Sequence, residues 1–438
     1  MSVATAAAGA GVAAAGRAAD RPAPTLSPDP GVERTELPNG LQVVTEVMPE
    51  ALSVSVGAWV GVGGRDEPAP VAGASHFLEH LLFKGTERRS ARDIAESIDA
   101  VGGDINAFTS REHTAYHARL PHQHLGLAIE VIGDVLSAPA LRPDDVEAER
   151  QVIVEEILMN LDSPEDRVHS LLSEALFPGH PLGRDVLGDR STVEAIGRDD
   201  VAGFFAEWYR PSTMVVAAAG RLDHRDVVAR VGDALGGITG GGRPVRVPPV
   251  EPPRPRAVVR DDTEQAHLCL GWRGLDQSDP ARWALAVANQ LLGGGTASRL
   301  FQHVREERGL AYSVYSYPTT YQDAGALTVY LGTAPRRVPE ALTVVDAVLD
   351  DLVAGGPTGR EVEVAKGFLS GSMLLGLEDS GGRMGRLGRD VVHHGEVVPI
   401  EVHLARLDEV DVKAVRAVLE RVLAGPRTLA AVGPVEGL

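Results

Sequence analysis

The feature that most constrains this chain is a break near its middle. Residues 236–255, GGITGGGRPVRVPPVEPPRP, are dense in glycine and proline and carry no periodic apolar pattern. Such a segment supports neither a helix nor a central strand. It reads as a linker, flexible through its glycines and extended through its prolines. It leaves two halves of about 200 residues, each of ordinary domain size. The organisation expected is a disordered leader over 1–32, rich in Ala, Gly and Pro, a first domain over 33–236, a linker over 237–255 and a second domain over 256–438.

The halves look like weak copies of one another. Each opens on an apolar strand, LSVSVGAWVG at 52–61 and HLCLGW at 267–272. A helix follows, HFLEHLLF in one and ASRLFQHVREER in the other. Next come extended stretches, NAFTSREHTAYHARL and AYSVYSYPTTYQDAGALTVYL, then two helical patterns in each half. Strands and helices mix without strict βαβ alternation. That predicts α+β architecture, two homologous domains, each an antiparallel sheet covered by helices on one face. Pairing Val146 with Val362 sets Ala365 opposite Glu149 and Ser372 opposite Glu156. The second copy also lacks any counterpart of His76 and His80, so one half carries a polar cluster that the scaffold does not require.

That cluster is the segment Gly73-Ala-Ser-His76-Phe-Leu-Glu79-His80, followed by apolar residues. Ser75 can cap a helix here. On a helix His76 and His80, four apart, share one face, with Glu79 beside them. Imidazole nitrogens suit zinc, and H-x-x-E-H is the inverted zincin pattern. A surface helix with two unconnected histidines is the plain alternative. A further donor is expected from the helix at 143–158, where Glu149 and Glu156 stand two turns apart on one face and Glu155 is rotated off it as a solvated carboxylate.

Taken with GGDINAFTSREHTAYHARL at 102–120, ERQVIVEE at 149–156 and RLFQHVREERGLAYSVYSY at 299–317, these motifs resemble the insulinase/pitrilysin metallopeptidases, in the branch of the mitochondrial processing peptidase. The resemblance implies one Zn2+ per chain on His76, His80 and Glu156, Glu79 as general base acting on zinc-bound water, and Glu149 orienting a ligating imidazole. It also implies that Arg305 and Tyr312 assist at the reacting centre. The strand through Asn106, Ala107 and Phe108 would pair with an extended peptide. The branch reads an arginine near the cut with two acids; these fall on Asp166 and Ser170, so one acid is missing, and Glu165 or Glu174 would have to replace it. The family closes a chamber from four such domains, which implies a homodimer, or a heterodimer with a homologous subunit. A noncatalytic assembly subunit is the rival reading.

The net charge of -19 opposes binding to nucleic acid or anionic membranes. No stretch reaches the roughly 20 apolar residues of a membrane helix. The one cysteine, Cys269, allows no internal disulfide and reads as a buried hydrophobe. With no secretory signal evident at 1–33, the expected location is the cytoplasm. Gly293-Gly294-Gly295-Thr296 lacks the lysine of a phosphate loop and reads as loop punctuation.

Overall fold

The computed structural model describes residues 31–435. The expected leader lies outside these residues save for its last two positions, and Val32 already opens the first strand. The first half runs β1 (Val32–Glu36), β2 (Gln42–Val47), β3 (Ser53–Val60), α1 (Ala74–Leu82), α2 (Ala91–Asp99), β4 (Asp104–Thr109), β5 (Thr114–Pro121), α3 (Leu125–Ser137), α4 (Pro143–Asp162), α5 (Pro164–Leu176), α6 (Arg190–Ala195), α7 (Arg198–Trp208), β6 (Met214–Gly220) and α8 (His224–Leu235). The second runs β7 (Arg256–Arg260), β8 (Ala266–Arg273), α9 (Arg282–Leu292), a π-helical turn (Phe301–Glu306), β9 (Ala311–Thr320), β10 (Gly325–Thr333), α10 (Val338–Ala354), α11 (Gly359–Gly376), α12 (Ser380–His394), α13 (Ile400–Asp408), α14 (Val412–Leu423) and β11 (Thr428–Gly433). The fold is α+β, with one sheet in each half.

The strand orders are β1-β2-β6-β3-β5-β4 and β7-β11-β8-β10-β9. Neighbours run antiparallel except for one parallel pair per sheet, β2 with β6 and β7 with β11. The repeat is visible in element order, since β8-α9-turn-β9-β10 retraces β3-α1-α2-β4-β5. This corrects one pairing. The counterpart of HFLEHLLF is α9, and the segment ASRLFQHVREER stands where α2 does. Periodicity alone could not separate two successive amphipathic helices. The conclusion drawn from the pairing survives, because α9 reads RWALAVANQLL and has neither histidine nor glutamate. α4 and α11 begin at Pro143 and Gly359, in the register already inferred.

The expectation of helices on one face is also corrected. Each sheet is covered on both faces, and each half lends a helix to the other. One face of the first sheet packs on α1, α3 and α8. On its opposite face Val44, Trp59, Val215 and Ala217 receive Met384, Leu387 and Val391 of α12. Reciprocally, α5 covers the second sheet, where Leu172 and Leu176 meet Cys269, Tyr330 and Ala430. Burying each large apolar side chain stabilises by roughly 1.5–3 kcal/mol, so these helices contribute substantially. The approach of α12 is close enough to require glycine. A Cβ on Gly388 would lie 2.2 Å from Trp59 Nε1, and one on Gly57 would lie 2.5 Å from Met384 Sδ.

The segment between the halves is irregular, but it is pinned rather than loose. Arg246 donates to both oxygens of Asp66 (2.8 and 2.7 Å) and to the carbonyls of Gly61 and Glu112. It also reaches Gln322 in the turn between β9 and β10 at 3.2 Å. Arg65 beside it pairs with Glu112 (2.6 Å) and Asp323 (2.7 Å). Composition showed the glycines and prolines but not this anchor. Among the described residues no helix is long and apolar enough to cross a membrane.

Candidate metal centre

The site is built on α1. Gly73 precedes it with φ 99°, a left-handed conformation that a side chain would strain. Ser75 does not cap this helix, because it falls within the first turn. The cap is Glu67, whose carboxylate accepts from Gly73 N–H and Ser75 N–H at 2.7 Å each. An anion at a helix N-terminus satisfies orphan donors and opposes the helix dipole. Glu67 is buried, and that burial pushes its carboxyl up to about 7 against the pull of those N–H groups and of Arg184.

His76 and His80 lie one turn apart with ring centroids 4.7 Å from one another. Helix α4 crosses α1 and presents Glu156. Its Oε2 stands 3.7 Å from His76 Nε2 and 3.7 Å from His80 Nε2. Among the described residues these three form the one group whose donor atoms converge closely enough to hold a metal, all within 4.8 Å of each other. Ligands at about 2.1 Å from a tetrahedral zinc sit on the order of 3.4 Å apart, so the spacing fits one ion. His76 is neutral near pH 7, since burial and the neighbouring His80 lower its imidazole to about 4. On the far side of His80, Nδ1 lies 3.1 Å from Glu149 Oε2, and Lys84 Nζ lies 2.6 Å from the other oxygen of Glu149. A proton on Nδ1 shared with Glu149 leaves the Nε2 lone pair directed at the donor group. Two N donors, one carboxylate and an orienting second carboxylate fit zinc.

Glu79 sits at the same end of α1. Burial pushes its carboxyl above the ordinary value. Its Oε2 accepts from Thr109 Oγ1 at 2.5 Å, at the end of β4. β4 is the edge strand of the first sheet. Its burial alternates, with Ile105, Ala107 and Thr109 toward the helices and Asp104, Asn106 and Phe108 on the other face. Asn106 Oδ1 accepts from Ala107 N–H at 2.8 Å. Phe108 is not brought to the metal group: its ring packs edge-on to Trp59 at 5.6 Å, beside His113 and His117. In the second sheet the corresponding edge, β9, is partly closed. Ser316 N–H donates to Gly293 O (3.0 Å) and Ser316 Oγ to Asn289 Oδ1 (2.8 Å), which gives the glycine-rich loop a structural task.

Arg305 and Tyr312 stand together. The guanidinium lies 4.7 Å from the centre of the Tyr312 ring, and Tyr312 is 78% exposed. Among the described residues neither bonds to His76, Glu79, His80 or Glu156. Asp166 lines a cavity of about 280 Å3 between α5 and the β9-β10 hairpin. Ser170 donates to Asp185 at 2.5 Å, so a loop aspartate that spacing did not flag stands beside the position lacking an acid. Glu174 is taken by Arg254 at 3.1 Å, and Glu165 faces Tyr315 at 3.5 Å. Glu155 is not among the converging donors. Cys269 is buried, and its thiol is raised well above the ordinary value by burial. Sequence reasoning missed Glu67, Thr109, Lys84 and Asp185. Strand alternation could have found Thr109, but nothing local marks the others.

A family model described as Insulinase (Peptidase family M16) matches residues 42–190, the stretch that holds every converging donor. A second, described as Peptidase M16 inactive domain, matches residues 195–369. The chain is 46% identical over 414 residues to an uncharacterized zinc protease of Mycobacterium leprae, covering 92% of each. It is 36% identical over 408 residues to an uncharacterized zinc protease of Bacillus subtilis, covering 92% of this chain and 98% of that one. Among solved structures, the peptidase M16 inactive domain from Pseudomonas fluorescens superposes with TM-score 0.86 at 23% identity, covering 92% of this chain and 98% of that one. A protease from Helicobacter pylori superposes with TM-score 0.85 at 22% identity, covering 92% and 99%.

Proposed function

This chain belongs to the insulinase family of peptidases, M16, and on that premise we propose that it is a zinc-dependent endopeptidase acting on short or unfolded peptides. The observation that carries the reading is the convergence of His76 Nε2, His80 Nε2 and Glu156 Oε2 beside the half-buried carboxylate of Glu79. His76, His80 and Glu156 would hold one zinc ion, with Glu149 orienting His80. Zinc, when bound, supplies Lewis acidity and eases deprotonation of water. Glu79 takes the proton of the attacking water and passes it to the leaving amine. The open edge of β4 offers backbone groups to an extended peptide, with Asn106 and Ala107 as the contact points. A basic side chain near the cut would find Asp166 and Asp185.

The proposal includes a dimer, homodimeric or with a homologous partner, in which Arg305 and Tyr312 of one chain complete the zinc site of the other. What supports it is the exposure of Tyr312, which bonds to none of the chain's own donors among the described residues, and the exposure of apolar residues on two helices equivalent by repeat, Val152 and Met159 on α4 and Phe368 and Leu375 on α11. The lone buried Cys269 suits a cytoplasmic setting. The complete donor set speaks against a noncatalytic assembly subunit, although the second half matches an inactive-domain model. The test is metal content together with hydrolysis of an unstructured peptide by wild type and Glu79→Gln. Zinc in both proteins and hydrolysis only by wild type is expected. Hydrolysis that persists in the variant or without zinc overturns the reading.

A further inference from the structure

Thr109 belongs at once to the strand edge offered to substrate and to the carboxylate that serves as base. Its side chain faces the helices while its backbone ends β4. It is fixed there by pairing with Thr114 across the hairpin, and Ser110 N–H closes the turn onto His113 O at 2.8 Å. From that fixed place Thr109 Oγ1 donates to Glu79 Oε2 at 2.5 Å. A carboxylate has two oxygens and a freely turning terminal torsion. Left alone in a partly buried site, the Glu79 carboxylate would sample several orientations. With Oε2 engaged by Thr109, one oxygen, Oε1, is left to accept a proton. The hydroxyl thereby selects which lone pairs meet the reacting water.

We infer that Thr109 is a positioning residue for Glu79, locking the base to the edge strand on which the peptide lies. The inference rests on the peptidase reading, and it adds a coupling. The strand that would align the peptide and the anchor of the base are one rigid piece, so base and scissile bond keep a common register. A misplacement of even about 1 Å at a reacting group is costly to turnover.

The variants are Thr109→Val, which keeps shape and loses the hydroxyl, and Thr109→Ser, which keeps the hydroxyl. Expected for Thr109→Val is a kcat lowered about 10–100-fold, with KM changed less than about 2-fold and zinc content unchanged. Thr109→Ser should recover most of kcat. A Thr109→Val enzyme with wild-type kcat, or a Thr109→Ser enzyme as slow as Thr109→Val, overturns the inference. A second readout is independent of activity. In crystals of metal-free Thr109→Val the Glu79 carboxylate should have left its place beside β4, and a carboxylate that stays there overturns the inference. Wild type without zinc-dependent hydrolysis would instead overturn the peptidase reading, and the crystal comparison would still decide the part played by Thr109.

Discussion

The ammonium of Lys84 lies 2.6 Å from one oxygen of Glu149, and the other oxygen of Glu149 lies 3.1 Å from His80 Nδ1. Lys84 is one of the chain's three lysines and the nearest cation to a carboxylate that is itself buried. Lys84 thus holds one oxygen of Glu149 and leaves the other facing His80. Glu149→Gln is therefore expected to weaken zinc binding about 10–100-fold, as loss of an orienting partner does. Lys84→Ala should weaken it less, because Lys84 acts through Glu149. Chelator competition measures both, and unchanged affinity in Glu149→Gln would remove Glu149 from the site.

The donors themselves give the sharpest contrast. His76→Ala, His80→Ala and Glu156→Gln should each lose stoichiometric zinc, whereas Glu155→Gln should bind as wild type does. Metal analysis after dialysis checks this. Zinc loss in Glu155→Gln with retention in Glu156→Gln would mean that α4 presents the other carboxylate.

Glu79→Gln keeps the size of the side chain and removes the proton acceptor. Turnover on an unstructured peptide should fall by at least about 100-fold with zinc retained. Parallel metal analysis separates this outcome from loss of the ion.

Trans completion is tested by mixing. Glu79→Gln and the double variant Arg305→Ala, Tyr312→Phe should each be inactive alone and recover part of the activity when subunits exchange. In the mixed dimer both defects fall on one site and the other is intact. No recovery is expected if each chain completes its own site. A strictly monomeric active enzyme in solution scattering would end the dimer proposal.

Glu67 makes a prediction about pH. Burial raises its folded value to about 7 from an unfolded value of 4.5. The folded protein thus binds more protons than the unfolded chain between those values, and stability falls as pH rises through that window. The loss from this one group is on the order of 3 kcal/mol. Urea midpoints at pH 5 and pH 8 should differ more for wild type than for Glu67→Gln. Equal differences would show that Glu67 does not titrate in this range.

What the sequence disclosed follows from how local each signal is. His76, Glu79 and His80 lie within one helical turn or so, and the phase of a second helix admits Glu156 while excluding Glu155. The two-sheet architecture is written in the repeated order of strands. Glu67 is different: it caps α1 from a preceding loop, where a glutamate in sequence looks like any solvated acid. Asp185 likewise reaches Ser170 from a loop. The covering of each sheet by a helix of the other half could not be read at all, because an amphipathic period tells that a helix has an apolar face and not which surface receives it. The pinned Arg246 was hidden because glycine and proline content reports on backbone freedom and says nothing of one arginine with a buried partner.

The exchange of α5 and α12 has a consequence for how the chain is made. During synthesis the first sheet is finished at Gly220, yet the surface carrying Trp59 stays bare until Met384 and Leu387 have emerged. The nascent chain must therefore carry an uncovered greasy surface through the whole intervening stretch, and sticking of that surface to other chains is the hazard of such intermediates. The two halves, though born of a repeat, mature together, and neither can be severed at the linker and expected to stay soluble on its own.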